Sequence, residues 1–360
     1  MKTLPSLIAC LCIAAAPAFA APPPKIVNAT DGIFSAFQSH PLVGIGEWHG
    51  LAQELDFYAT LVRDPRFATE VGNIVLETGD AAQQPVVDRY VNGENVPYKE
   101  LRKVWSDTVG WFPTVQALGS INLYATIRAI NQTLPPEKRI KVWLGDPPID
   151  WSEIKTKADW LPFQAQRDDY PSELIEREVL GKNKKALVIY GAAHLGLYPG
   201  GMALFPGLRH PNLRARLDAA HPGALYVVSP YIGYTTAVCA RAFEKHLNGI
   251  SAPSLISSIQ ESSLRKELLR PGCVPFAKSS DQSQDEYETS ISNFAGLHSD
   301  ALLYLGPREA FVSSLNIPDS YLDLDYRAEM DRRMRLRLGS GLKPPDPANN
   351  PATPRPYRID

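Results

Sequence analysis

Six short apolar runs, each divided from the next by a longer amphipathic or polar stretch, constrain this 360-residue chain more than any other feature. They are Leu42-Val43-Gly44-Ile45-Gly46, Asn73-Ile74-Val75-Leu76, Ile140–Leu144, Ala186–Tyr190, Ala224–Val228 and Ala301–Leu305. Apart from Asn73 and Lys141, their apolar character is continuous, not alternating, as in strands buried on both faces. Between them lie segments with helical spacing. The first runs from about Leu51 to Val62, with apolar residues at 51, 55, 58, 59 and 62. Others fall around Pro85–Val91, Tyr98–Val104, Pro113–Asn131 and Pro171–Leu180. The expected fold class is α/β: a mainly parallel central sheet with helices on both faces.

Two regions depart from this rhythm. Residues from about 240 to 298 contain a polar run, Ser279 to Thr289, and read as a partly helical insertion, with the helix at 254–268. The stretch after Gly339 is rich in Pro, Asn and Asp and is expected to be a disordered tail. Before it, Asp325–Leu338 is helix-like with five arginines. These are offset by Asp323, Asp325, Glu329 and Asp331, which suggests a solvated charged face.

The N-terminus reads as a targeting segment. Met1-Lys2 carries one positive charge, Leu4–Ala20 is mostly apolar, and Ala18-Phe19-Ala20 has the small-x-small pattern of a cleavage site. The run is too short to span a bilayer. The expected organisation is therefore a signal peptide at 1–20, one α/β domain at 21–338 with the insertion at about 240–298, and a tail at 339–360. The expected location is secreted or periplasmic, with cleavage near Ala20. Leu7-Ile8-Ala9-Cys10 offers a lipoprotein alternative, and membrane attachment would follow only from lipidation at Cys10. Cleavage would remove Cys10 and Cys12 and leave Cys239 and Cys273. In an oxidising compartment an isolated pair favours a disulfide over two free thiols.

Charge narrows the function classes. Lys plus Arg total 37 against 39 Asp plus Glu, a net charge of −2, without the basic excess expected of a nucleic-acid binder. Gly-x-Ser-x-Gly, His-Glu-x-x-His, Walker and Gly-x-Gly-x-x-Gly motifs are all missing, against the usual serine hydrolase, zincin and nucleotide-binding readings. The expected partner is a small-molecule or peptide substrate.

Ligands of open α/β sheets bind beyond the carboxyl ends of the strands, so the residues directly after each apolar run matter most. After the first come Glu47-Trp48-His49-Gly50, with Glu54 one turn into the helix. After the second comes Glu77-Thr78-Gly79-Asp80, after the third Gly145-Asp146, and after the fourth Gly191-Ala192-Ala193-His194. Four strand ends in succession deliver a carboxylate, a histidine or both. The Gly-x-x-His element occurs twice, at Gly46–His49 and Gly191–His194. Two schemes suit this set. In one, His49, Glu77 and His194 bind a divalent metal such as Zn or Mn that activates water. In the other, a histidine acts as general base, a carboxylate such as Glu47 or Glu77 orients it, and an arginine stabilises the oxyanion. Arg128 and Arg308 are the candidate arginines.

Gly46-Glu47-Trp48-His49-Gly50 with Glu54, Leu76-Glu77, Asp88-Arg89-Tyr90-Val91-x-Gly93, Trp105, Arg128–Asn131, Gly145-Asp146 and Tyr190–His194 together resemble motifs of the erythromycin esterase family. The Gly-x-x-His pair is also similar to the wider superfamily holding the ChaN haem-uptake lipoproteins and the TIKI/TraB metalloproteases. The resemblance covers about residues 40 to 235 plus Leu303–Pro307. The esterase branch implies lactone hydrolysis, with Glu47, His49, Glu77 and His194 in the pocket. The metalloprotease branch implies a divalent metal on the two histidines and a glutamate. The ChaN branch implies haem binding without catalysis, and a His or Tyr axial ligand such as Tyr190. The leading expectation is a hydrolase of an ester or amide that activates water with His49, Glu47, Glu77 and His194, with Arg128 behind the pocket.

Overall fold

All six apolar runs become strands, joined by two that the pattern did not announce. The computed structural model describes residues 23–110, 117–197, 211–233, 236–259, 262–268, 273, 298–342 and 356–357. The strands are β1 (Lys25–Asn28), β2 (Leu42–Glu47), β3 (Asn73–Asp80), β4 (Lys141–Asp146), β5 (Ala186–Gly191), β6 (Leu225–Pro230), β7 (Ser254–Ser257) and β8 (Ala301–Tyr304). They form one sheet in the order β1-β7-β8-β6-β2-β5-β3-β4. The six expected strands, β8 to β4 in that order, are mutually parallel, whereas β7 pairs antiparallel with both β1 and β8.

Strand side chains alternate between two cores, as the two-residue pleat requires. Val43, Ile45, Ile74, Leu76, Leu187 and Ile189 join one core with the helices Ala52–Arg63 and Leu118–Asn131. Leu42, Val75, Ala186, Val188 and Tyr190 join the other with Asp169–Glu178 and Leu213–Ala220. The expected α/β sheet covered on both faces is thus present. Its order also creates a crevice. β2 and β5 are neighbours, yet the helix after β2 packs on one face and the helix after β5 on the other. Such a divergence opens space beyond the strand ends.

Three expectations need correction. The 240–298 region is not only an insertion, because its Ser254–Ser257 segment is β7, a strand of the sheet, and of the helix expected at 254–268 only Leu264–Leu268 is helical among the described residues. With just Leu255 and Ile256 between serines, β7 is too short to show a strand period. Arg333 and Arg337 are buried, so Leu324–Leu338 is not simply a solvated face. Arg333 donates to Ser106 O and Asp107 Oδ1, both at 2.9 Å, and Arg337 lies 5.1 Å over the Trp160 ring. Within the tail, Pro356 bridges Val312 and the Tyr357 N–H donates to Phe311 O at 2.9 Å. Cys239 and Cys273 form a disulfide that ties the helix Ala237–Glu244 to position 273. The signal segment 1–20 with Cys10, the polar run 279–289 and most of the tail lie outside the described residues. No helix among the described residues is long and apolar enough to cross a membrane.

Candidate active site

The sheet order brings three strand ends together. Glu47 closes β2 in register with Gly191, the last residue of β5, and β3 flanks β5 on its other side. Glu77 sits where β3 and β4 lose register: Leu76 pairs Leu144, but the next pairing is Asp80 with Asp146. A bulge of this kind re-aims a side chain, and here it turns Glu77 toward β5. Its Oε2 accepts the Gly191 N–H and its Oε1 accepts from Arg167.

His49 follows β2 in a loop that turns at Gly50 (φ 85°). Its Nδ1 lies 3.3 Å from Glu47 Oε1 and its Nε2 3.9 Å from Glu77 Oε2. Neither Nδ1 nor Glu47 Oε1 makes an aligned hydrogen bond, so this is a charge contact. The loop is held from below by Glu54, which accepts the Trp48 N–H at 3.1 Å and the Tyr58 hydroxyl. His194 follows β5. Its Nε2 lies 3.4 Å from Glu77 Oε1 and its Nδ1 2.7 Å from Asp168 Oδ1. Asp168 is itself anchored by the Leu213 N–H at 2.8 Å. Arg167 completes the cluster, its Nε donating to Asp146 Oδ1 at 2.9 Å.

Electrostatics separate these groups. Burial alone would raise the Glu77 carboxyl, but His194, Arg167 and His49 outweigh it and hold Glu77 well below the usual carboxylate range. Burial opposes charge on His194, yet Glu77 and Asp168 carry it up to about 9, so it is an imidazolium at neutral pH. His49 is raised as well: burial lowers it, and Glu77 and Glu47 more than reverse that. Burial lifts Asp146 despite Arg167, and lifts Glu54 well above its ordinary value with Glu47 adding to the effect. The His49 side chain is 29% exposed, against 3% for Glu47 and 5% for both Glu77 and His194.

Glu47, His49, Glu77 and His194 therefore meet in one place, and Arg128 does not. Its guanidinium donates to the carbonyls of Tyr90, Gly93 and Glu94 at the end of the helix Gln84–Val91 and lies 4.8 Å over the Tyr90 ring. It serves as a C-terminal cap. Arg308 packs against Gly233. Arg167 occupies the place assigned to an arginine beside the carboxylates, and it and Asp168 escaped sequence reasoning. They sit between the helices Lys157–Ala165 and Asp169–Glu178, in a charged stretch indistinguishable from an exposed turn.

The residues do not fit the metal expected on His49, Glu77 and His194. No group of three or more His, Cys, Asp or Glu side chains among the described residues is arranged to hold an ion. Both Glu77 oxygens are already engaged, by a guanidinium and a backbone N–H, and both His194 nitrogens face carboxylates. Nor does Tyr190 fit as a haem ligand. It is fully buried within the second core, and its hydroxyl lies so close to Gly145 that a Cβ there would come within 1.8 Å.

No family model and no curated protein matches this chain. Among solved structures it is similar to a Bacillus cereus protein at 12% identity and a TM-score of 0.47, over 78% of this chain and 94% of that one. It is also similar to the type III effector HopBA1 at 14% identity and a TM-score of 0.31, over 61% and 89%. At these scores neither likeness identifies a family.

Proposed function

We propose that this protein is a hydrolase of an ester or amide bond in which His49 is the general base toward water, without a bound metal. One observation carries the reading: the part-exposed imidazole faces two buried carboxylates, Glu47 and Glu77, and the second is fixed by Arg167, His194 and the Gly191 N–H. A base must be reachable, and the groups that hold it must not move. In this reading Glu47 faces Nδ1 and orients the ring, leaving Nε2 to take a proton. Glu47 thus takes the position of the buried carboxylate of a catalytic triad, opposite the nitrogen that acts as base, and the charge of Glu77, 3.9 Å from Nε2, favours the imidazolium formed. His194 and Arg167 keep Glu77 ionised, and Asp168 and Asp146 hold those two cations. We assign work outside the cytoplasm, a reading that the Cys239–Cys273 disulfide supports.

The test is turnover of p-nitrophenyl acetate by wild type and His49→Ala, with and without chelator. Loss of a positioned general base costs about 10²–10⁴-fold in rate. The expected result is that loss in the variant and no response to chelator in either protein. Equal turnover by both proteins would remove the hydrolase reading.

A further inference from the structure

A cleft of about 580 Å³ has none of Glu47, His49, Glu77, Arg167 and His194 in its lining. Its walls are the helices Tyr98–Leu101 and Lys103–Ser106, the stretch Asp150–Lys155 after β4, and the helix Leu324–Leu338. These walls are tied to one another. Arg333 donates to Ser106 O and Asp107 Oδ1, both at 2.9 Å, and the Trp151 indole N–H donates to Asp107 O at 2.8 Å. Arg332 reaches Ile154 O at 2.9 Å and Trp151 O at 3.1 Å. Trp151, Tyr326 and Met330 line the cleft and are buried, which gives it an apolar base. Six lining side chains are Lys or Arg and four are Asp or Glu, an excess of +2 in a chain whose net charge is −2. The arginines already have carboxylates. Arg102 has Asp319 and Asp323, Arg332 has Glu329, and Arg333 has Asp107 and Glu329. The lysines are exposed and less engaged. Lys99 and Lys103 make no hydrogen bond or close ion pair among the described residues, and Lys155 donates to Ser152 O. Asp150 is held by the Ser152 N–H at 2.9 Å. Its carboxyl is lowered by Ser152 and then by Lys103 and Lys155, as two ammonium groups near one acid would do.

We propose that this cleft binds a phosphate monoester of a compact organic group, with Lys99, Lys103 and Lys155 on the phosphate and Trp151, Tyr326 and Met330 beneath the organic part. Its volume falls within the range of about 300–1,000 Å³ typical of small-molecule sites. A phosphate monoester carries a charge of about −1.5 to −2 at neutral pH, which matches the local excess. Lysine suits such a ligand because its ammonium is a point charge on a flexible stem, able to move onto a phosphate oxygen. The walls are preformed by arginines whose own charges are spent, so binding need order only the three lysine side chains. The inference does not rest on the hydrolase reading.

The experiment is calorimetric titration of the full chain at low salt with phenyl phosphate, inorganic phosphate and phenylacetate. It compares wild type, Lys103→Gln/Lys155→Gln and His49→Ala. Both lysines are exposed, so the double variant should melt as wild type does. Phenyl phosphate is expected to bind wild type and His49→Ala alike, and to bind the double variant at least about tenfold more weakly, the value of one lost charge-assisted hydrogen bond. Inorganic phosphate, lacking the organic part, and phenylacetate, carrying a single charge, should each bind wild type more weakly than phenyl phosphate does. No binding of phenyl phosphate to wild type, or equal binding to the double variant, overturns the proposal. Loss of binding in His49→Ala also overturns it, by moving the anion to the candidate active site. Inorganic phosphate binding as tightly as phenyl phosphate overturns the role of the apolar base, and phenylacetate binding as tightly overturns the preference for phosphate. None of these readouts needs ester turnover, so failure of the hydrolase reading leaves them intact.

Discussion

Gly191→Ala is the sharpest probe of the site, because it adds one carbon at the point where the groups meet. A Cβ at position 191 would lie 2.9 Å from His49 Nε2, 3.0 Å from Glu77 Oε2 and 3.2 Å from His49 Cε1. Gly191 has no left-handed backbone, so alanine is allowed there conformationally. One side chain must yield. Glu77 is pinned by Arg167 and the Gly191 N–H, whereas His49 is part-exposed and its Nδ1 has no aligned hydrogen bond. The imidazole retreats by about half an ångström to reach ordinary contact, away from Glu77. Overpacking a closed core costs about 1–3 kcal/mol, but the open side of His49 relieves most of it, leaving about 1 kcal/mol or less. A misplacement of about 1 Å costs about 10²-fold in rate, so half of that predicts roughly tenfold. The His49 pKa should fall toward 6.5, since Glu77 is the leading influence raising it. The assays are p-nitrophenyl acetate turnover, thermal melting and an NMR titration of His49. Unaltered turnover together with an unaltered His49 titration would refute the placement of Nε2 against Glu77. A stability loss of about 3 kcal/mol or more would refute the claim that His49 is the mobile partner.

Four further outcomes are expected. Arg167→Met leaves Glu77 and Asp146 buried without their cation, and denaturant unfolding should show a loss of about 3–5 kcal/mol, with the Glu77 pKa rising. Arg128→Ala, by contrast, removes bonds to the carbonyls of Tyr90, Gly93 and Glu94, none of them a partner of His49; it should cost about 1–3 kcal/mol in the same assay and leave kcat/KM at wild type. Stability should depend on pH at both ends. The His194 pKa rises on folding to about 9, so its contribution is complete below 6.5 and disappears as pH climbs through about 9. The Glu77 pKa falls on folding, so its contribution is present above the ordinary value of 4.5 and disappears as pH drops below it. Ester turnover, needing neutral His49, should increase with pH through a midpoint above 6.5.

Particular residues show how far the sequence reads. The parallel strands were legible because most of their side chains are buried on both faces and so form nearly unbroken apolar runs. β1 and β7 were not, since four residues such as Ser254-Leu255-Ile256-Ser257 carry too few side chains to display a period. Glu47, His49, Glu77 and His194 were legible because charged groups directly after apolar strands are conspicuous. Arg128 misled for the opposite reason: an arginine on a helix near the site looks the same in sequence whether it faces carboxylates or caps another helix.

What the chain determined locally was its layered α/β class and the delivery of acids and imidazoles to strand ends, because hydrophobic periodicity and the strand-to-loop transition are written in neighbouring residues. Only the tertiary structure placed β5 between β2 and β3, which brings His194 and Gly191 to Glu77. It alone recruited Arg167 and Asp168 and folded Pro356 and Tyr357 back onto Val312 and Phe311. Those contacts join groups many tens of residues apart, and their energy depends on burial and facing charge. A linear sequence carries neither until the sheet has closed around them.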